Sequence, residues 1–237
     1  MTITPTSIPQ AEPAKNELDG VIFPPRDLYS DEPPLETDLH RDQIDLLIRL
    51  LRWAWKERQD FYVSGNTTVY YSPDQVKSRD FRGPDFYVVL GSENRPRKSW
   101  VVWQEGGVYP HVIIELLSSS TAEVDRGLKK ALYQNIFRTP DYFWFDPDSL
   151  EFEGFHLVDN AYETVEPNDQ GWRWSQQLQL FLGIHDGHLR FFTRDGELVP
   201  TPEESSEAER QRAEAERQQK ERLAAKLREL GIDPDEV

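Results

Sequence analysis

The sequence predicts an α/β (α+β) domain built on a mixed central β-sheet flanked by helices. Three observations point there: an amphipathic helical stripe opening at Asp38, a series of strand-like apolar runs after it, and a second helical segment placed before further strands.

Taken in order, residues 1–38 carry repeated proline (Pro5, Pro9, Pro13, Pro24, Pro25, Pro33, Pro34) and read as an extended arm, with Ile22, Phe23 and Tyr29 as its points of contact with the core. From Asp38, the expected N-cap, Ile44, Leu47, Ile48, Leu51 and Trp55 recur at helical spacing, and His40 lies one turn before Ile44 on the same stripe. Strand-like runs follow at 61–71 (FYVSGNTTVYY), 85–90 (DFYVVL), 99–104 (SWVVWQ) and 111–117 (HVIIELL). A helix is expected over 121–137 and a strand over 142–145 (YFWF). A β-rich stretch then runs from 150 to 193, with turns at Asn168–Gly171, Asp186–Gly187 and Asp195–Gly196. Residues 39–200 form the expected domain, and 201–237 a charged helical tail. In that tail Glu209/Arg212, Glu214/Arg217 and Glu216/Lys220 stand at pairing distance. Apolar residues gather only at its end, in Leu223, Leu227 and Leu230, so the tail lacks coiled-coil heptads and is expected to be a free helix rather than a docked one, stopped by Gly231 and Pro234.

Composition narrows the function classes. The chain has 237 residues, 37% hydrophobic, which suffices for one core of about 150 residues. With no cysteine, disulfides, zinc–thiolate centres and thiol nucleophiles are excluded. No run approaches the roughly 18 apolar residues of a membrane span, and MTITPTSIPQ lacks the marks of an export signal, so a soluble, cytoplasmic protein is expected. The net charge is −16, of which residues 1–38 carry −6 (eight acids, two bases) and 202–237 carry −4 (eleven acids, seven bases). The remaining −6 leaves no broad basic face, which argues against a general DNA-coating protein but not against an enzyme that binds metal and touches phosphate locally.

The chemistry centres on Glu115. Strand alternation puts Val112, Ile114 and Leu116 on one face and His111, Ile113, Glu115 and Leu117 on the other, so Glu115 enters an apolar layer. An ionised carboxylate goes there only when a cation or donors replace its water. Asp85, opening a strand after Gly83 and Pro84, offers a second carboxylate, and two carboxylates on adjacent strands suit an oxygen-liganded divalent cation. Asp125, Lys129 and Tyr133 form an i, i+4, i+8 stripe beside a ridge of Val124, Leu128, Leu132 and Ile136 that is expected to be buried. Lys129 then flanks the sheet, while Lys130 points to solvent.

The blocks GPDFYVVL, HVIIELLSSST, DRGLKKALYQN and PDYFWFDP resemble a family of restriction-endonuclease-like proteins, the Uma type, within the PD-(D/E)XK nuclease superfamily. The resemblance covers about residues 36 to 200. It implies a restriction-endonuclease-like core in which Asp85 and Glu115 bind Mg²⁺, with Mn²⁺ as a substitute, and act on a nucleic acid, DNA being the expected form. The superfamily's lysine, two residues after the glutamate, is Leu117 here, and the resemblance implies that it has migrated to Lys129. His40 matches a histidine near the start of the family's first helix and joins the catalytic set on that ground. The alternatives are structural: Glu115 bridged to Lys129 for stability, Asp85 capping a turn, Lys129 paired with Asp125, and His40 satisfied at a helix start. His111, His156, His185 and His188 share no metal-ligand spacing, and the tryptophans read as packing. A non-catalytic module of the same fold, working through protein–protein binding, is the alternative function. Apolar strands in 150–193, more than one small sheet covers, are expected to wrap the core and contribute to a homodimer contact.

Overall fold

The computed structural model describes residues 37–72, 83–118 and 125–229. Most of the predicted arm, Val124, Leu230 and the Gly231–Pro234 stop lie outside them. Helix α1 (Asp38–Ala54) is capped one residue earlier than predicted: Thr37, extended at φ −138°, is the N-cap, and its hydroxyl accepts from the His40 N–H at 3.3 Å. Asp38 is instead the first helical residue, paired with Arg41. The hydroxyl can reach a backbone N–H left without a carbonyl in the first turn, so it takes the cap.

The described residues form strands β1 (Phe61–Ser64), β2 (Val69–Tyr70), β3 (Phe86–Leu90), β4 (Trp100–Val101), β5 (Val112–Leu116), β6 (Asp141–Phe145), β7 (Phe152–Val158), β8 (Ala161–Thr164), β9 (Arg173–Ser175), β10 (Leu180–His185) and β11 (His188–Phe192). Six of them make the central sheet, in the order β1-β3-β5-β6-β7-β8. Only β5 and β6 run parallel within it, so the sheet is mixed as expected. The run 61–71 splits because Gly65 and Asn66 turn the chain: a Cβ on Gly65 would stand 2.4 Å from the Asp85 carbonyl, and Asn66 has φ 46°. The run 99–104 ends as a strand at Val101 and continues as a 3₁₀ turn, Val102–Gln104. The hairpin between β7 and β8 turns on Asp159 and Asn160, both at positive φ, which Asp and Asn tolerate without glycine.

Two apolar layers sandwich this sheet. On one face Val112, Ile114 and Leu116 join Phe86, Val88, Phe143 and Phe145 against Leu47, Leu50 and Leu51 of α1. Leu180, Leu182, Leu189 and Phe191 close that layer from outside, since β9, β10 and β11 form a second, antiparallel sheet that packs on α1. Gln43 locks the two together, its amide donating to the Leu189 carbonyl and accepting from the Leu189 N–H, both at 3.0 Å. The apolar faces of β10 and β11 that carry Leu180, Leu182, Leu189 and Phe191 are therefore buried within the chain, so these strands wrap the core as expected.

The opposite face holds Tyr62, Tyr87, Trp100, Ile113, Leu117, Tyr142 and Trp144, covered by helix α2 (125–137). Here the expected buried ridge is corrected. Leu128 is 66% exposed and Ile136 49%, whereas Tyr133 and Phe137 are buried. Most of α2 has π-helical turns, and their i→i+5 bonding widens each turn, so residues four apart drift less around the axis. Lys129, Tyr133 and Phe137 consequently stay on the sheet side. Burying two aromatic rings also removes more apolar area from water than burying Leu128 and Ile136 would. Lys130 does not point to solvent: its ammonium lies 3.4 Å from the centre of the Phe155 ring, and burial lowers its pKa.

Candidate active site

The antiparallel register of β3 and β5 sets Phe86 opposite Ile114 and so brings Asp85, one residue before the strand, alongside the end of β5. The two segments exchange side-chain bonds there. The Leu116 N–H donates to Asp85 Oδ2 at 2.8 Å, and the Asp85 N–H points at Glu115 Oε2 at 3.4 Å. Gly65 admits this arrangement, because the Asn66 N–H then reaches the Pro84 and Asp85 carbonyls at 3.1 and 3.2 Å.

Glu115 is completely buried, and three groups answer its charge. Lys129 Nζ stands 3.0 Å from Oε2, Tyr133 donates its hydroxyl proton to Oε1 at 2.5 Å, and the Asp85 N–H completes the set. Lys129 is 17% exposed at its side chain, so the ammonium sits at the mouth of the site while the carboxylate sits within. Burial pushes the Glu115 pKa up to about 7; Lys129 and the Tyr133 hydrogen bond pull it down, and neighbouring Asp85 pushes it further up. Such a displacement, made by desolvation and specific partners together, marks a site able to exchange a proton or a cation near neutral pH.

Of the residues expected at the site, Asp85, Glu115 and Lys129 are brought together. His40 shares no hydrogen bond with that network: it is 6% exposed at the start of α1, Nδ1 lies 2.8 Å from Thr37 Oγ1, and Nε2 has no hydrogen-bond partner among the described residues. Leu117, in the position of the superfamily's lysine, is completely buried in the aromatic layer. Tyr133 is the residue that sequence reasoning placed on the right stripe without a role. The available signal was arithmetical: a buried carboxylate has more acceptor sites than one ammonium fills. Among the other histidines, His156 bonds Asp141 at 2.6 Å, and Asp141 in turn takes the Ser175 hydroxyl at 2.5 Å and the Gln177 N–H at 2.9 Å. That constellation joins the two sheets.

No cluster of three or more His, Cys, Asp or Glu side chains is formed among the described residues. The two carboxylates of Asp85 and Glu115 fit a cation that keeps most of its water and takes one or two carboxylates plus a substrate phosphate, as Mg²⁺ does.

A family model described as "Uma2: Putative restriction endonuclease" matches residues 27–191. This chain belongs to the Uma2 family. The Uma2 match runs from before α1 into β11 and leaves the C-terminal tail outside. Membership supports a nuclease-like function. The chain is also similar to a solved structure described as a putative nuclease belonging to DUF820 from Anabaena variabilis ATCC 29413. Identity is 14% and the TM-score 0.45, over 72% of this chain and 86% of that one. No curated protein matches the sequence. No helix among the described residues is long and apolar enough to cross a membrane.

Proposed function

We propose that this Uma2 protein is a Mg²⁺-dependent endonuclease that hydrolyses phosphodiester bonds in DNA in the cytoplasm. The observation that carries the proposal is the convergence of Asp85 and Lys129 on the buried Glu115 carboxylate. Asp85 and Glu115 would hold the cation, Mg²⁺ or in its place Mn²⁺. When bound, it would supply a Lewis acid for the scissile phosphate and acidify a coordinated water. Lys129 offers its ammonium at the mouth of the site, where charge develops on the phosphate oxygens. His40, its ring held through Nδ1, offers Nε2 for a proton or a water. A homodimer would present two such sites to opposite strands of a duplex. Residues 39–200 form the nuclease domain in this reading, with 1–38 an arm and 201–237 an appendage.

Titrating Mg²⁺ or Mn²⁺ calorimetrically into wild type and Glu115→Gln tests the metal site, with heat expected in the first alone. Cleavage of supercoiled, linear and single-stranded DNA, with Asp85→Ala as control, tests the chemistry. For Lys129→Ala, turnover should fall by roughly 10²-fold or more, the size of losing one preorganised charge. Equal turnover of that variant and wild type would remove Lys129 from the mechanism. A lysine introduced as Leu117→Lys would not replace Lys129, because its ammonium would enter the apolar layer in which Leu117 is completely buried. The buried Leu117, together with the net charge of −16, favours the one competing reading, a nuclease-fold module that binds proteins without cleaving. Equal heats in wild type and Glu115→Gln would select it.

A further inference from the structure

The two oxygens of Glu115 face unlike surroundings. Oε1 is held by the Tyr133 hydroxyl at 2.5 Å in the closed interior, and Oε2 faces Lys129 and Asp85 at the partly open side. Tyr133 cannot swing away from this bond. It is completely buried, with its ring 5.2 Å from that of Phe137 and 5.5 Å from that of Tyr142. We infer that Tyr133 is a positioning residue that sets the cation selectivity of the site, by fixing Oε1 in the closed interior so that only Oε2 faces the open side.

The consequence follows from ligand geometry. Mg²⁺ demands near-ideal octahedral coordination, keeps several waters and is content with single carboxylate oxygens. Ca²⁺ takes six to eight oxygens and often both from one carboxylate. A Glu115 pinned through Oε1 withholds the second oxygen and so disfavours Ca²⁺ relative to Mg²⁺ or Mn²⁺. Removing the phenol oxygen alone frees Oε1, and the carboxylate can then turn both oxygens toward the cation.

This inference rests on Asp85 and Glu115 being the cation ligands. Its test is calorimetric titration of Mg²⁺, Mn²⁺ and Ca²⁺ separately into wild type and Tyr133→Phe, with no nucleic acid present. The ratio of Mg²⁺ to Ca²⁺ affinity is expected to shift toward Ca²⁺ by about tenfold or more, the scale on which groups behind a ligand act. A purely structural role for the hydroxyl would weaken all three cations by one common factor, and that result overturns the inference while leaving the metal site standing. Absence of heat in wild type would end both the metal reading and this one. Should Tyr133→Phe fail to fold, the infrared carboxylate bands of the wild-type cation complexes, with Glu115→Gln as blank, give the same decision. A band separation typical of one-oxygen coordination is expected with Mg²⁺ and Ca²⁺ alike, and a two-oxygen signature with Ca²⁺ would overturn the inference.

Discussion

Glu115 makes the stability of the cation-free protein depend on pH in an unusual direction for a carboxylate. Its pKa rises from an ordinary 4.5 to about 7 on folding, so the folded state holds the proton more tightly than the unfolded chain. The stability this contributes is complete below about 4.5 and is lost as pH climbs through about 7. By linkage the loss is on the order of 3 kcal/mol. His111 acts in the opposite sense, because burial lowers its pKa and its contribution grows as pH rises. Comparison with Glu115→Gln isolates the carboxylate. In urea denaturation with a chelator present, wild type should lose stability relative to Glu115→Gln between pH 5 and pH 8, and added Mg²⁺ should restore part of it at pH 8 by binding the folded form. Parallel profiles for the two proteins would show that Glu115 keeps its charge throughout, with Lys129 and Tyr133 compensating its burial in full.

At the scale of elements, α2 decides how the site is covered, and its inner and outer faces differ in energetic weight. Phe137→Ala should destabilise by about 3–5 kcal/mol, as for other buried aromatics. Leu128→Ala should change stability by less than about 0.5 kcal/mol, because Leu128 is 66% exposed. Thermal denaturation of the two variants checks the assignment of faces, and a larger loss at Leu128 would restore the aliphatic ridge as the buried one. The central elements were legible beforehand. The alternation of HVIIELL placed Glu115 on the aromatic face, GPD placed Asp85 at a strand start, and the spacing of Lys129 brought its ammonium to Glu115. What escaped was whatever depends on a shift of phase or on tertiary partners. The π-helical turns of α2 turned the ridge outward and laid Lys130 on Phe155. Thr37 outcompeted Asp38 as cap, because its hydroxyl reaches the His40 N–H. His40 shows the same limit, since helical spacing placed it on the α1 stripe but could not say which groups its ring meets.

For the whole molecule, the question is what the charged tail contributes to a domain whose core closes without it. Helix α3 (Pro202–Glu229), about 42 Å long at 1.5 Å per residue, has no buried residue, and its eight acids nearly balance its seven bases. Its attachment lies at its base. Thr201 and Glu204 form a reciprocal cap, the Glu204 N–H bonding Thr201 Oγ1 at 3.1 Å and the Thr201 N–H bonding Glu204 Oε2 at 2.7 Å. Glu204 also takes the guanidinium of Arg190 at 2.7 Å, and Glu203 pairs with Arg49 of α1. Beyond that turn only surface pairs remain, such as Glu214 with Arg217, each worth a few tenths of a kcal/mol. Ending the chain after Ser206 should therefore leave the melting temperature within about 2 °C of wild type, in the range of surface changes. Glu204→Ala in the full chain should cost about 1–2 kcal/mol, because Arg190, only 8% exposed at its side chain, loses its carboxylate partner. The two measurements separate anchor from appendage. A melting temperature that falls steeply on truncation, and becomes concentration-dependent in the full chain alone, would mean instead that α3 pairs with a second copy and that the dimer is built through the tail.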